Sequence, residues 1–142
     1  MRILNKIIFI IIFAFLFNLA WEVSHSLLYK TITDMSASQY VPRILQASAG
    51  DIIMILAIFI IISGINKSLS WTINKKKSMI LSVICGTIIS IGFELYAQYT
   101  NRFSYNPSMP IIPLINVGLT PILQMIITPL LTFLTAEKLA KN

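Results

Sequence analysis

The chain has 142 residues, 56% hydrophobic and only 11% charged, with a net charge of +6 and a mean hydropathy of +0.82. Soluble domains carry roughly a quarter charged residues, so this composition excludes an ordinary soluble domain and points to lipid as the solvent. The positive balance does not mark a nucleic-acid binder, because the lysines form no stripe with interleaved aromatics and sit instead at the ends of apolar runs. Cys85 is the only cysteine, which rules out an intrachain disulfide and a cysteine metal cluster; inside an apolar run it reads as a small core residue.

The expected architecture is an all-α integral membrane four-helix bundle, one domain over 1–142, with spans near 5–27, 51–66, 78–98 and 114–136. The first segment starts basic and turns apolar from Ile7 to Ala20, as a signal peptide does. Asn18 is a poor residue three places before a cut after Ala20, and the helical pattern continues beyond it. Asn18, Glu22, His25 and Tyr29 are spaced i, i+4, i+7, i+11 and so share one face. A signal peptide has no use for such a face.

Residues 30–50 read as a long polar connection, the length of a lid or binding loop, with 41–49 as a short helix at the interface. Gly50-Asp51 then opens the second span, Asp51 serving as its N-cap or as a first-turn carboxylate facing the helix dipole. The 67–77 connection holds Trp71 as an interfacial aromatic and Lys75-Lys76-Lys77 as the densest positive run. In the third span Thr87, Ser90, Glu94 and Gln98 share a face, and Gly86 and Gly92 leave room for close helix packing. In the last segment, 111–119 is expected as a broken half-turn or re-entrant piece. Thr120-Pro121 reads as an N-cap and first helical residue, and Pro129 as a kink.

Lysine and arginine set an orientation with both termini cytoplasmic, in the cell membrane. Arg2 and Lys6, the Lys67/Lys75/Lys76/Lys77 loop and the Lys138/Lys141 tail fall on one side; Lys30, Arg43 and Arg102 fall on the other. Measured from the cytoplasmic lysines at 1.5 Å per residue, Glu22, Asp51 and Glu94 each lie roughly 24–26 Å up, in a hydrocarbon core about 30 Å thick. Gln124 lies about 21 Å above Lys138. His25 is one turn beyond Glu22, and Arg102 hangs in the loop above. The expected site is therefore one polar layer near the outer edge, lined by Glu22, His25, Asp51, Glu94, Arg102, Tyr105 and Gln124, all within reach of the polar stretch 92–124. A carboxylate in the bilayer interior is costly unless it is paired or faces a cavity. The competing account is that Asp51 is only a cap, and that Tyr29, Tyr96 and Tyr99 form an interfacial belt.

Glu22 and His25, at i and i+3, can form a hydrogen-bonded structural pair or a proton relay. They can also begin a metal site, given further ligands from Asp51 or Glu94; no metal or other cofactor is called for. Ser24 and Ser26 lack the context of a hydrolase nucleophile, and neither a P-loop nor a dinucleotide glycine pattern is present. Arg102 can clamp an anionic head group with Tyr105 or pair with Glu94.

Asn18-Leu19-Ala20-Trp21-Glu22, Glu94-Leu95-Tyr96-Ala97, Arg102-Phe103-Ser104-Tyr105, Met109-Pro110-Ile111-Ile112-Pro113 and Gly118-Leu119-Thr120-Pro121-Ile122-Leu123-Gln124 together resemble a family of small prokaryotic multi-pass membrane proteins. That likeness implies a membrane bundle and no particular reaction. Glycine and tryptophan are expected around the arginine in that family; Asn101 and Phe103 stand here. A thinner likeness is to the membrane lycopene cyclases, which have a helix-borne glutamate followed by an aromatic, Tyr, Asn and Pro segment. It would imply acid catalysis on an isoprenoid by Glu22 or Glu94. The paired glutamates that follow a proline in the cyclases are replaced here by Ile122-Leu123-Gln124 after Pro121. Three functions are thus in play. The first is an outer-leaflet pocket for a lipid, an isoprenoid or a small ion; the second is an enzyme on an apolar substrate; the third is a structural subunit of a homo-oligomer or membrane complex.

Overall fold

The computed structural model describes residues 2–140, and of residue 2 the backbone only. Lys141 and the Arg2 side chain, both counted above among the positive flanks, lie outside the described residues. The chain forms α1 (Arg2–His25), a 3-10 turn (Ser26–Leu28), α2 (Lys30–Thr33), α3 (Ala37–Asn66), α4 (Lys76–Tyr99), a two-residue β-pairing of β1 (Ile111–Ile112) with β2 (Val117–Gly118), and α5 (Leu119–Leu139). It is essentially all-α, and four of its helices are long and apolar enough to cross a membrane. Isoleucine and leucine line the outward faces, among them Ile8, Ile12, Ile60 and Ile88. This suits a bundle whose helices meet lipid as readily as one another.

Helix α5 packs along both α1 and α4, and α1 along α3, whereas α3 and α4 touch much less. The bundle is therefore closed on three sides and loose on the fourth. Its interior is divided by chemistry. One half holds an apolar cluster that includes Ile10, Ala14, Ile55, Ile58, Phe59, Ile62 and Phe133; the other half holds most of the polar side chains described below.

The second span differs from expectation. Instead of a long connection and a cap at Asp51, α3 begins at Ala37, where Gln39 accepts from the Ser36 backbone N–H (3.1 Å). The helix runs unbroken through the stretch expected as a separate short helix. Pro42 is the sixth residue of the helix and leaves the Ser38 carbonyl without its helical donor, yet the helix continues through it. Thirty residues rise about 45 Å, so the first turns stand clear of the hydrocarbon and carry Arg43 to that end of the molecule. Asp51 becomes a buried side chain in mid-helix, and a capping role is excluded.

The start of α5 also differs. Gly118, not Thr120, is its N-cap residue, and 111–118 fold as a small antiparallel pairing rather than a half-helix. The helix passes through Pro129 without a break. Of the two glycines expected at helix contacts, only Gly86 is at one; a side chain at Gly92 would meet open space.

At the lysine-rich end, Trp71 is buried rather than interfacial and donates to Ser63 Oγ (2.8 Å). Lys6 donates to the Trp71 carbonyl (2.6 Å) and to Glu137 (3.2 Å), while Glu137 also accepts from Thr72 Oγ1 (2.6 Å) and the Ile73 N–H (2.8 Å). This knot ties the α3–α4 connection to α1 and α5, and gives a buried carboxylate the partners it needs.

Candidate functional site

At the opposite end, Gln124 on α5 is the hub. Its Nε2 lies 3.0 Å from Asn18 Oδ1, 3.0 Å from Glu22 Oε1 and 2.8 Å from Asp51 Oδ2. One amide nitrogen thus faces acceptors from two other helices, with only two hydrogens to divide among three. Thr128, one turn along α5, donates to the same Asn18 oxygen (3.0 Å). Asn18, Glu22 and His25 on α1 are turned to α5; Tyr29, expected on the same helical face, lies beyond the end of α1 in extended backbone and packs against the loop after α4.

His25 has both ring nitrogens engaged, Nε2 with Glu22 Oε1 (3.2 Å) and Nδ1 with Thr120 Oγ1 (3.3 Å). With no ring nitrogen left over, the pair acts as a hydrogen-bonded strut, and among the described residues no three His, Cys, Asp or Glu side chains are grouped to hold a metal ion.

Glu94 on α4 accepts from the Tyr105 hydroxyl. That hydroxyl in turn accepts from Gln98 Nε2 (3.1 Å) and from the Gly118 N–H (3.0 Å). Tyr105 is therefore saturated and cannot clamp an anion with Arg102, as the sequence had suggested. Burial, then the bond to Glu94, pushes the Tyr105 hydroxyl well above the ordinary tyrosine range, and burial does the same to Tyr29. Both stay protonated, and Tyr105 stays a donor. The expected Arg102–Glu94 pair is also absent among the described residues; the Arg102 guanidinium lies 5.1 Å from the Tyr96 ring centroid.

The loop after α4 roofs this layer. Asn101 takes φ 53°, a left-handed conformation open to glycine and tolerated by asparagine, which accounts for asparagine where glycine was expected. The Arg102 N–H then closes on the Ala97 carbonyl (2.8 Å) and the Asn101 N–H on Gln98 (3.0 Å). This helix-ending motif turns the chain back over the bundle. The loop pairs with the end of α1 through Lys30 N–H to Ser104 O (2.9 Å) and Asn106 N–H to Leu28 O (2.8 Å). Phe103, Tyr105 and Tyr29 stack mutually, with ring centroids 5.1 to 5.6 Å apart. Tyr29 is thus buried in the roof, not part of an exposed belt; Tyr99, 88% exposed, remains outside.

Beneath the roof, on the loose side between α3 and α4, is a cavity of about 450 Å³. Glu22, Asp51, Glu94 and Gln124 lie at its base, Ile53, Met54, Phe93, Phe103 and Met125 supply apolar wall, and Arg43 and Arg102 also line it. Ile53 and Phe93 are 71% and 43% exposed on the outside of the bundle, so the cavity opens sideways where lipid would lie. Of the seven residues singled out from sequence, five line this cavity, and His25 and Tyr105 hold two of them in place. Asn18, Thr128 and Arg43 were missed. Asn18 was placed on the Glu22 face by its spacing but not counted in the site, Thr128 sits one helical turn from Gln124, a spacing that would have found it, and Arg43 was hidden by the expectation of a connection over 30–50.

Such a site belongs to a membrane protein with a polar chamber set among apolar helices. No family model, curated protein or solved structure matches the chain.

Proposed function

We propose that the protein crosses the cell membrane four times with both termini in the cytoplasm, and that the cleft between α3 and α4 holds a lipid or isoprenoid molecule drawn from the outer leaflet. The observation that carries this reading is the cavity itself, whose sideways opening is framed by the lipid-exposed Ile53 and Phe93. Binding sites for such molecules are mostly apolar with a few convergent polar groups, and ionisable residues in a membrane interior mark functional cavities.

Orientation is supported by the clustering of Lys6, Lys67, Lys75, Lys76, Lys77 and Lys138 at one end. In a Cys85→Ser background, Arg102→Cys labels with a membrane-impermeant thiol reagent in intact cells, and Lys76→Cys labels only after permeabilisation. The reverse pattern would overturn the orientation. Ligand binding is tested by Ile53→Trp, which puts an indole in the opening. Native mass spectrometry of the purified protein shows a bound lipid-sized adduct in the wild type and loses it in Ile53→Trp. Ile60→Trp, on the outer face of the same helix, keeps it. An adduct that survives Ile53→Trp places the ligand elsewhere.

A second reading is acid–base chemistry on an apolar substrate, favoured by the meeting of Glu22 and Asp51 at one nitrogen beside an apolar wall. Under it, Asp51→Asn and Glu22→Gln retain the bound molecule but no longer convert it to a product isomer, which chromatography of the extracted lipid separates from the substrate.

A further inference from the structure

We propose that Arg43, Arg102 and the Thr31 hydroxyl form a phosphate site at the mouth of the cleft, which takes the head group of an anionic phospholipid whose acyl chains leave sideways between α3 and α4. The inference rests on the ligand-binding reading above and adds the chemical class of its head group.

Thr31, Met35, Arg43 and Arg102 line a second cavity of about 440 Å³, and three of the four also line the first. The two spaces thus share a threshold carrying two guanidinium groups. Positive charge is the scarce kind on the outer side of a membrane protein. The outward cations here are Lys30, Arg43 and Arg102, and Lys30 is matched by Asp34 at 2.7 Å. The other two have no carboxylate partner among the described residues. Arg43 reaches only the Gln46 side chain (3.3 Å) and Arg102 only the Tyr96 hydroxyl (3.4 Å) and ring. Between them the Thr31 hydroxyl is buried with no hydrogen-bond partner, a cost that stands until something accepts from it or donates to it. Two forked donors and a hydroxyl are the set that a tetrahedral oxyanion satisfies.

The rest of the chamber orients the molecule. Glu22, Asp51 and Glu94 line the base and offer a phosphate no cation there, so the arginines at the threshold are its partners. The apolar wall and the opening beside Ile53 and Phe93 suit hydrocarbon, so a lipid fits where free phosphate would leave the wall uncovered.

The test titrates dihexanoyl phosphatidic acid, dihexanoylglycerol and inorganic phosphate into the detergent-purified full chain and follows binding by calorimetry. Phosphatidic acid binds the wild type. Arg43→Gln and Arg102→Gln each weaken it about tenfold, and Thr31→Val about threefold. Arg43→Lys, which keeps the charge and loses the fork, recovers part of the loss, so that a folding defect in Arg43→Gln would be recognised. Ile53→Trp abolishes binding. Arginine variants that bind like the wild type, alongside a defective Ile53→Trp, would overturn the phosphate site and leave the cleft standing. Indifference of all of them would overturn both. Dihexanoylglycerol binding as tightly as phosphatidic acid would remove the phosphate from recognition, and inorganic phosphate binding as tightly would make this a free-anion site rather than a lipid one.

Discussion

Gly86→Ala destabilises the detergent-solubilised protein by about 3 kcal/mol, the upper end of an ordinary overpacking penalty. Gly92→Ala on the same helix is neutral or stabilising by up to about 1 kcal/mol, as helix propensity alone dictates. The difference is geometric. A Cβ at Gly86 would stand 1.9 Å from the Met125 carbonyl oxygen and 2.9 Å from its carbon, and backbone atoms cannot step aside as a side-chain end can. At Gly92 nothing lies within 4 Å. Pro129 explains why α4 comes so close. Proline has no N–H, so the carbonyl four residues earlier, that of Met125, has no helical donor. The hydrogen that occupies the Cβ position of Gly86 points at this oxygen, a weak C–H···O contact of the kind found where helices cross closely. Thermal unfolding of the two alanine variants decides the matter: equal melting temperatures would mean that α4 and α5 do not meet at this crossing.

Gln124→Met costs about 3 kcal/mol, the upper end of the range for leaving buried acceptors without their donor. Methionine fills the same volume and supplies no donor. Asn18 keeps Thr128 and Glu22 keeps His25, but Asp51 and Glu22 both lose the Gln124 donor. Helix α5 also loses its polar tie to α3 and one of its several ties to α1. The shared network makes a sharper demand. Asp51→Asn carries a new amide into the hub, so the double variant Gln124→Met/Asp51→Asn recovers part of the loss. Its unfolding free energy is higher by about 1 kcal/mol or more than adding the two single losses would leave, as for coupled neighbours. Strict additivity would mean that Gln124 and Asp51 do not act through one network.

These variants separate two kinds of knowledge about the chain. The apolar class, the four long apolar helices and the meeting of Glu22, Asp51 and Glu94 around one cavity were legible in the sequence. Hydropathy is a property of local composition, and a helix rises a constant amount per residue, so counting from the lysines measures height without any knowledge of neighbours. The face shared by Asn18, Glu22 and His25 followed from the same regularity and meets α5, whereas Tyr29 fell off it because α1 ends at His25.

Where each helix points around its own axis was not legible. Isoleucine and leucine surround these helices on nearly every side, so no apolar stripe marks the inward direction as it would in a soluble bundle. Only packing brings Gln124 between α1 and α3, turns Gly86 onto Met125, and leaves α3 and α4 apart to open a cleft. The expected cap at Asp51 failed for a related reason. Gly50 and Asp51 look like a helix start when read alone, but α3 was already under way from Ser36, and tertiary contacts sustain it. That longer helix is what delivers Arg43 to Arg102. Composition and spacing determined that this is a membrane protein with acids at one level; the tertiary structure alone decided which side chains satisfy them, because hydrogen-bond partners come from neighbouring helices and their rotation is a property of the whole bundle.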